Sequence, residues 1–481
     1  MMQLFNMIGG EQMMPREMRF LENINPATGQ RISHIPRSGL SDVDEAVGAA
    51  QVAFQVWSRM APNARADVLD KVANRIEERQ EEFALAESRD NGKPISLARQ
   101  VDIPRAIANF RFFAGAVRHD STGCHMMADA LNYTIRKPLG VVGLITPWNL
   151  PLYLLSWKAA PALAMGNVVV AKPSEMTPTT ASLLAEVFTE VGAPKGIFNV
   201  IHGLGAEAGG PLVDHPGIKA ISFTGGTSTG ATVAQTAAPQ FKKLSLELGG
   251  KNASIVFDDC DFEKTVAGVT RAAFLNQGQV CLCGSRILVH RKVYLRFVDA
   301  LVERARKMVI GDPFAEGTEL GALISLEHRQ KIESYIDYAV TDGGSVLTGG
   351  SRPMMSEEFV HGAWLKPTVI ADLDVECRAS TEEIFGPVAV VHPFDTEEEA
   401  IEIANGVEYG LAASMWTSNV TRAHRLSAQL DTGMVWVNTW LHRDLRVPFG
   451  GVKNSGVGRE GGRFSLEFFS EQQNICVYLG E

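Results

Sequence analysis

The sequence predicts an α/β protein built on parallel, doubly wound sheets, and three observations lead there. At 481 residues, 45% hydrophobic and 21% charged, the chain has room for roughly three domains of about 150 residues and can bury several cores. From Leu139 onward, short apolar strands alternate with helix-length segments, the pattern of a parallel sheet covered by helices. A second alternating block begins near Ile255, which makes two α/β domains.

Helices come first in chain order. Ser41-Asp42-Val43-Asp44 reads as a capping box, and Val43, Val47, Phe54 and Trp57 share one face, so a helix runs to about Met60. A second, highly charged helix extends from about Asn63 to Asn91, where Gly92 supplies a C-cap before Pro94. A third spans Asp102 to Val117. The first sheet draws its strands from Val141–Ile145, Asn167–Ala171, Phe198–His202, Ala220–Phe223 and Leu244–Glu247. The second block carries helices around Glu263–Leu275, Val293–Met308 and Glu327–Val340, with strands near Ser285–His290, Val388–His392 and Met434–Asn438. Gly450 to Gly462 reads as an irregular loop and Ser470–Tyr478 as a terminal strand.

Composition removes several function classes. The 45 basic and 55 acidic residues give a net charge of -10, and no long Lys/Arg cluster appears, which argues against nucleic-acid and anionic-membrane partners. An anionic ligand must therefore be held by a few local groups. Six cysteines are too sparse for a disulfide framework, so the reading is a protein of the reducing cytoplasm. The start of the chain shows no basic segment leading into an apolar stretch and cleavage site, so no secretory signal is expected. Leu139 to Trp157 carries no charge, but Pro147, Asn149 and Pro151 interrupt it, which favours a buried strand, a turn and a helix over a membrane span.

Chemistry-bearing residues cluster at strand ends. Cys281 and Cys283 sit in the polar turn Asn276-Gln277-Gly278-Gln279-Val280-Cys281-Leu282-Cys283 between a helix and a strand. Such a pair is either two small core residues, part of a metal site, or a nucleophile, since a thiolate exposed near a helix terminus is strongly nucleophilic. No histidine pairs with a second ligand at zinc spacing, so no metal is expected. Glu247 closes an apolar strand and is either a solvated strand-end carboxylate or a general base. Asn149, at the carboxyl end of a parallel strand, is a turn residue or an oxyanion donor. Lys172 and Glu175 belong to a capped loop or share a ribose. Gly225-Gly226-Thr227-Ser228-Thr229-Gly230 opens a helix whose amides can meet a pyrophosphate, although it is neither G-x-G-x-x-G nor a Walker motif.

Taken together, Thr146-Pro147-Trp148-Asn149, Lys172-Pro173-Ser174-Glu175, Phe223-Thr224-Gly225-Gly226-Thr227, Leu246-Glu247-Leu248-Gly249-Gly250-Lys251, Asn276-Gln277-Gly278-Gln279-Val280-Cys281, Glu382-Glu383-Ile384-Phe385-Gly386-Pro387 and Pro448-Phe449-Gly450-Gly451 resemble, in order, the NAD(P)-dependent aldehyde dehydrogenase superfamily. The resemblance covers nearly the whole chain. It implies a Rossmann-like NAD domain (1–122 and 141–247), an α/β catalytic domain (248–445) and a small β oligomerisation element (123–140 and 464–481), with assembly into a homodimer or homotetramer. It implies Cys281 as nucleophile, with Cys283 given no role. Asn149 and the Cys281 amide form the oxyanion hole, Glu247 activates water, and Lys158 and Glu460 match positions that relay protons in some relatives. NAD contacts are implied at Ile145, Thr146, Trp148, Lys172, Glu175, Gly205, Phe223, Gly225, Gly226, Leu248, Glu383 and Phe385. Glu175 favours NAD over NADP because a carboxylate repels a 2′-phosphate. Gly226 departs from the serine of many relatives.

For the substrate, the resemblance places Arg443 in the loop lining the family's substrate tunnel, with Arg105 and Trp157 on its other wall. Each arginine alone reads as a solvated side chain, or for Arg443 a salt bridge with Asp444; opposed, they can clamp a carboxylate. Asn109-Phe110-Arg111-Phe112-Phe113-Ala114, Arg443-Asp444-Leu445-Arg446 and Gly456-Val457-Gly458-Arg459-Glu460-Gly461-Gly462 look most like the branch that oxidises 2-aminomuconate and 2-hydroxymuconate 6-semialdehydes, in which arginines at these two positions hold the carboxylate. A carboxylated semialdehyde is thus the expected substrate. A broad-specificity or betaine-type enzyme is the alternative, and a structural protein retaining the fold is more remote. Glu247 argues against a CoA-acylating relative. His442 replaces the leucine expected in that branch and adds a polar group to the tunnel loop.

Overall fold

The computed structural model describes residues 2–480. Two large sheets organise it. The first has eight strands, of which five run parallel in the spatial order Lys243–Glu247, Ile218–Thr224, Val141–Ile145, Val168–Lys172, Phe198–Val200. Asn6–Ile8 and Glu11–Met13 extend one edge antiparallel, and Gly456–Val457 closes the other. Chain order reverses between Val141–Ile145 and Ile218–Thr224, so the loops at their carboxyl ends diverge and leave a crevice where open α/β sheets bind ligands. The second sheet orders Ser345–Thr348, Thr368–Ala371, Val388–Phe394, Arg286–His290, Ala253–Val256, Ala412–Trp416 and Met434–Val437, parallel except for its first strand.

The helix Pro151–Ala164 explains the uncharged stretch before it. All fourteen of its residues are buried, as expected of a helix apolar all round that lies inside a large protein. Its start follows the turn that carries Asn149, and Trp157 and Lys158 project from its middle. No helix among the described residues is long and apolar enough to cross a membrane.

Local readings need four corrections. The first helix is Leu40–Trp57 with Gly39 as its N-cap; Asp42 occupies N3 and accepts the Gly39 amide at 3.0 Å, so the cap lies before Ser41. The charged second helix is two, Pro62–Glu78 and Gln80–Asn91. They break at Arg79, which turns out of helical geometry and pairs with Glu82, Glu186 and Glu190. Short strands precede the first helix, and Met2–Gln3, Phe20–Ile24 and Arg31–Pro36 form a small sheet of their own. The stretch after Gly450 is not wholly irregular: Val452–Lys453 and Gly456–Val457 each pair with a strand.

A third unit is a three-stranded antiparallel sheet of Cys124–Met126, Ala130–Pro138 and Ser470–Tyr478. Ser470–Tyr478 is an edge strand, mostly exposed.

The turn that carries Cys281 sits on the backbone of Gly386 and Pro387. Gly278 has φ +69°, and a Cβ there would lie 2.1 Å from the Gly386 carbonyl oxygen. Left-handed strain and collision combine, so Gly278→Ala should cost at least about 1–3 kcal/mol, read as a lower denaturation midpoint.

Candidate active site

The carboxyl ends of the first sheet face the amino ends of the second at Asn149. Its side-chain amide donates to the Gln279 carbonyl at 3.0 Å, and its own carbonyl accepts from Asn276 Nδ2 at 3.1 Å and Lys93 Nζ at 3.1 Å. Asn276 and Gln277 both take positive φ, 54° and 57°, which bends the chain out of the helix Phe262–Phe274 and presents Cys281 at the junction. Asn252 Nδ2 then holds the Cys281 carbonyl at 2.7 Å and the Cys283 carbonyl at 2.9 Å.

Cys281 is half-buried. Loss of water around its sulfur, with the Glu383 and Glu247 carboxylates nearby, raises its thiol pKa far above the ordinary range, while Arg443 acts the other way. These surroundings disfavour the thiolate form of Cys281. Cys283 is buried, its pKa pushed up to about 12 by burial.

Glu247 is 4% exposed, and neither carboxylate oxygen has a hydrogen-bond partner. Burial, then the proximity of Glu460, raises its pKa well above the carboxylate range. It is not a solvated strand-end acid. Glu460 Oε1 accepts from Lys158 Nζ at 2.7 Å, Ser222 Oγ at 2.9 Å and Ser245 Oγ at 3.2 Å, a buried ion pair that brings together two of the expected residues.

Arg443 and Arg105 converge. The Arg443 guanidinium lies 4.3 Å over the Trp157 ring and 3.9 Å over Phe449, and its Nε and Nη2 are buried without a partner. Arg105 stacks 5.5 Å from Tyr153 and is near enough to Arg443 to depress its pKa, after the larger effect of burial. The Arg443–Asp444 pair is absent; Asp444 binds Arg446 instead. His442 is exposed, so it does not add polarity to the buried pocket.

At the crevice of the first sheet, a cleft of about 430 Å³ is lined by Ile145, Gly205, Phe223 and the helix Thr227–Ala237. That helix has no side-chain cap at Gly226, a Cβ at Gly226 would meet nothing within 4 Å, and Thr224 Oγ1 is buried without a partner. Free amides at a helix start and an orphan hydroxyl fit the phosphates of a dinucleotide. Lys172 and Glu175 form an ion pair at 3.1 Å at the end of the neighbouring strand, where the Lys172 carbonyl accepts from the Thr146 amide at 3.2 Å. Trp148 meets Phe385 edge-on at 5.3 Å, and Phe385 has φ +61°. Glu383 accepts the Gly250 amide at 2.9 Å, and burial raises its pKa to about 7. Leu248 packs against Gly230 of the helix, where a Cβ would come within 2.4 Å.

The aldehyde dehydrogenase family model matches residues 13–475. The chain belongs to the aldehyde dehydrogenase family. It is 49% identical over 468 residues to a 2-hydroxymuconic semialdehyde dehydrogenase of Pseudomonas sp. (strain CF600), covering 96% of each chain. It is 46% identical over 462 residues to a 2-aminomuconic semialdehyde dehydrogenase of Homo sapiens, covering 95% of each. Among solved structures, an NAD+ complex of an aldehyde dehydrogenase from Bacillus cereus superposes with TM-score 0.97 at 39% identity, over 99% of this chain and 97% of that one. A betaine aldehyde dehydrogenase from Staphylococcus aureus, also with NAD+, gives 0.96 at 38%, over 99% and 95%.

Sequence reading of this family member missed the support beneath Asn149. Lys93 is fully buried, 2.7 Å from Asp102 and 3.7 Å from Glu87, and Asp102 closes a π-helical turn, Ala98–Asp102, just before the helix that carries Arg105. The available signal was Lys93 itself, a charge wedged between Gly92 and Pro94. Removing it strands two buried carboxylates, so Lys93→Met should cost about 3–5 kcal/mol, measured by denaturant unfolding. For Cys281, alkylation should accelerate only at pH well above about 8.5, the value for a free thiol. Replacing the carboxylate that raises its pKa most, Glu383→Gln, should shift that curve to lower pH.

Proposed function

We propose that this family member catalyses NAD-dependent oxidation of a carboxylated, conjugated semialdehyde, with 2-aminomuconate and 2-hydroxymuconate 6-semialdehydes as its preferred substrates. The observation carrying the substrate reading is the half-buried Arg443, whose guanidinium lies over two aromatic rings with buried, unpaired Nε and Nη2 and with Arg105 beside it. A desolvated guanidinium with free donors favours a carboxylate, bidentate and charge-assisted, and disfavours the quaternary ammonium of betaine aldehyde. The names of the relatives at 46–50% identity agree.

In this reading Cys281 Sγ bonds to the aldehyde carbon as a base removes its proton, giving a thiohemiacetal. Asn149 has a second amide N–H beyond the one given to Gln279, and with the Cys281 backbone N–H it stabilises the oxyanion. A bound NAD would supply the hydride acceptor needed to oxidise this adduct to the thioester. Glu247, once ionised, takes one proton from water, whose oxygen attacks the thioester; the adduct collapses to the carboxylate product as the remaining water proton passes to the leaving Cys281 sulfur. The Glu460–Lys158 pair receives the proton held by Glu247. Lys172 and Glu175 hold the adenosine ribose, where Glu175 selects NAD; Glu383 and Phe385 hold the nicotinamide ribose and ring; Ile145, Thr146, Trp148, Gly205, Phe223, Gly225, Gly226 and Leu248 line the rest.

We assign residues 1–122 and 141–247 to the NAD domain, 248–445 to the catalytic domain, and 123–140 with 464–481 to oligomerisation. The unpaired edge of Ser470–Tyr478 supports assembly as a homodimer or homotetramer. Free cysteines throughout the described chain fit the cytoplasm.

A panel of muconate semialdehydes, betaine aldehyde and simple aliphatic aldehydes, followed by NADH formation, tests the proposal. The carboxylated substrates should lead, and Arg443→Ala should lower their kcat/KM by roughly a hundredfold, with Arg105→Ala acting in the same direction through KM. An unchanged muconate KM in both variants rejects the substrate reading.

A further inference from the structure

A substrate with an aldehyde at one end and a carboxylate at the other must reach Cys281 and Arg443 at once. The spacing between those two groups then selects chain length, and Arg443 stands in a loop without regular structure between Met434–Val437 and Phe449. At the near end, Asn438 is tied to Met415 and Thr417 of the neighbouring strand end. At the far end, Phe449 exchanges backbone hydrogen bonds with Glu460. Trp436 Nε1 donates to the His442 carbonyl at 2.9 Å, a bond from the strand into its own following loop. None of these reaches the segment of the nucleophile.

Trp440 does. Its Nε1 donates to the Leu282 carbonyl at 2.9 Å, between Cys281 and Cys283, in a buried contact. Asn252 takes the carbonyls on either side of Leu282, so all three carbonyls of the nucleophile segment are fixed from two directions. Trp440 is 4% exposed, and Arg271, on the helix that leads into the Cys281 turn, stacks 5.5 Å from its ring and donates to its carbonyl at 3.4 Å. Leu441 follows with φ +60°, which reverses the chain and sends Arg443 back between Trp157 and Phe449.

We infer that Trp440 is a positioning residue that sets the separation between the nucleophile and the carboxylate clamp, and so the length of ω-carboxylated aldehyde the enzyme accepts. This rests on the reading of Arg443 as that clamp. The indole N–H ties the loop to the residue next to the nucleophile, with Arg271 reinforcing it from the adjoining helix, whereas the anchors at Trp436, Asn438 and Phe449 lead elsewhere. A carboxylate held bidentately tolerates little displacement, and misplacement of about 1 Å can cost roughly a hundredfold in rate. An uncharged aldehyde, attached only at the thiol end, does not sense the spacing.

The test compares wild type, Trp440→Phe, Arg271→Gln and Arg443→Met on a series of ω-carboxylated aldehydes of increasing length and on uncharged aldehydes of matching length. Wild type should show a sharp length optimum. Trp440→Phe keeps the ring and loses the N–H, so it should broaden or shift that optimum and raise KM for the best carboxylated substrate roughly tenfold, with the uncharged series changed less than about twofold. Arg271→Gln, which removes the cation over the Trp440 ring but leaves the indole N–H in place, should move the same way by less, and it serves as the reporter if the Trp440 variant melts early. Equal losses on both series, or an unaltered length profile in both variants, overturn the inference. If Arg443→Met leaves the preference for carboxylated substrates intact, the clamp reading falls instead; if Arg443→Met abolishes it while Trp440→Phe and Arg271→Gln keep the wild-type profile, only the role of Trp440 falls.

Discussion

Two hydrogen bonds at Asn149, from its side chain to the Gln279 carbonyl and from Asn276 Nδ2 to its own carbonyl, join a loop of the first sheet to the turn that presents the thiol of the second. Asn149 comes from the crossing where strand order reverses, and Gln279 from a turn that is stable only because two residues accept left-handed backbone and Gly278 lies flat on Gly386. The dinucleotide cleft and the nucleophile are thus tied together at Asn149, whose carbonyl is also held by Lys93. That support is electrostatically costly: a lysine and two carboxylates are wholly desolvated. Buried ion clusters of this kind add little net stability compared with apolar packing, and their attested use is to fix register.

The pocket follows the same logic with the sign reversed. A chain of net charge -10 repels anions at long range, yet Arg443 is desolvated and flanked by aromatic faces, so its attraction is short-ranged and strong. The acidic surface and the cationic pocket act over different distances. The two carboxylate oxygens of Glu247 have no hydrogen-bond partner, and burial with the nearby Glu460 raises its pKa while Lys158 and Arg443 work in the opposite direction.

The repeating part of the fold was legible in the residues because its signals are local. Val141–Ile145 and Ser470–Tyr478 were read with their observed bounds, and Pro147, Asn149 and Pro151 correctly converted an apolar stretch into strand, turn and buried helix. The break at Arg79 escaped because its cause is a set of partners as distant as Glu186 and Glu190, and the edge strand Gly456–Val457 because its pairing with Lys243–Glu247 spans about half the chain. In the site, the motif residues could be named but their surroundings could not. That Glu247 has no partner, that Asp444 prefers Arg446 to Arg443, that His442 faces outward, and that Lys93 lies beneath Asn149 are properties of packing, which no spacing along the chain encodes.

The protonated state of Cys281 also bears on its survival. Peroxides attack thiolates far faster than thiols, and oxidation beyond the sulfenic acid is in general irreversible. Burial, and after it the Glu383 carboxylate, bias the resting sulfur toward its less reactive form, so it is less open to adventitious oxidation between turnovers than when deprotonated for reaction. The same neighbours that slow its activation lengthen its working life.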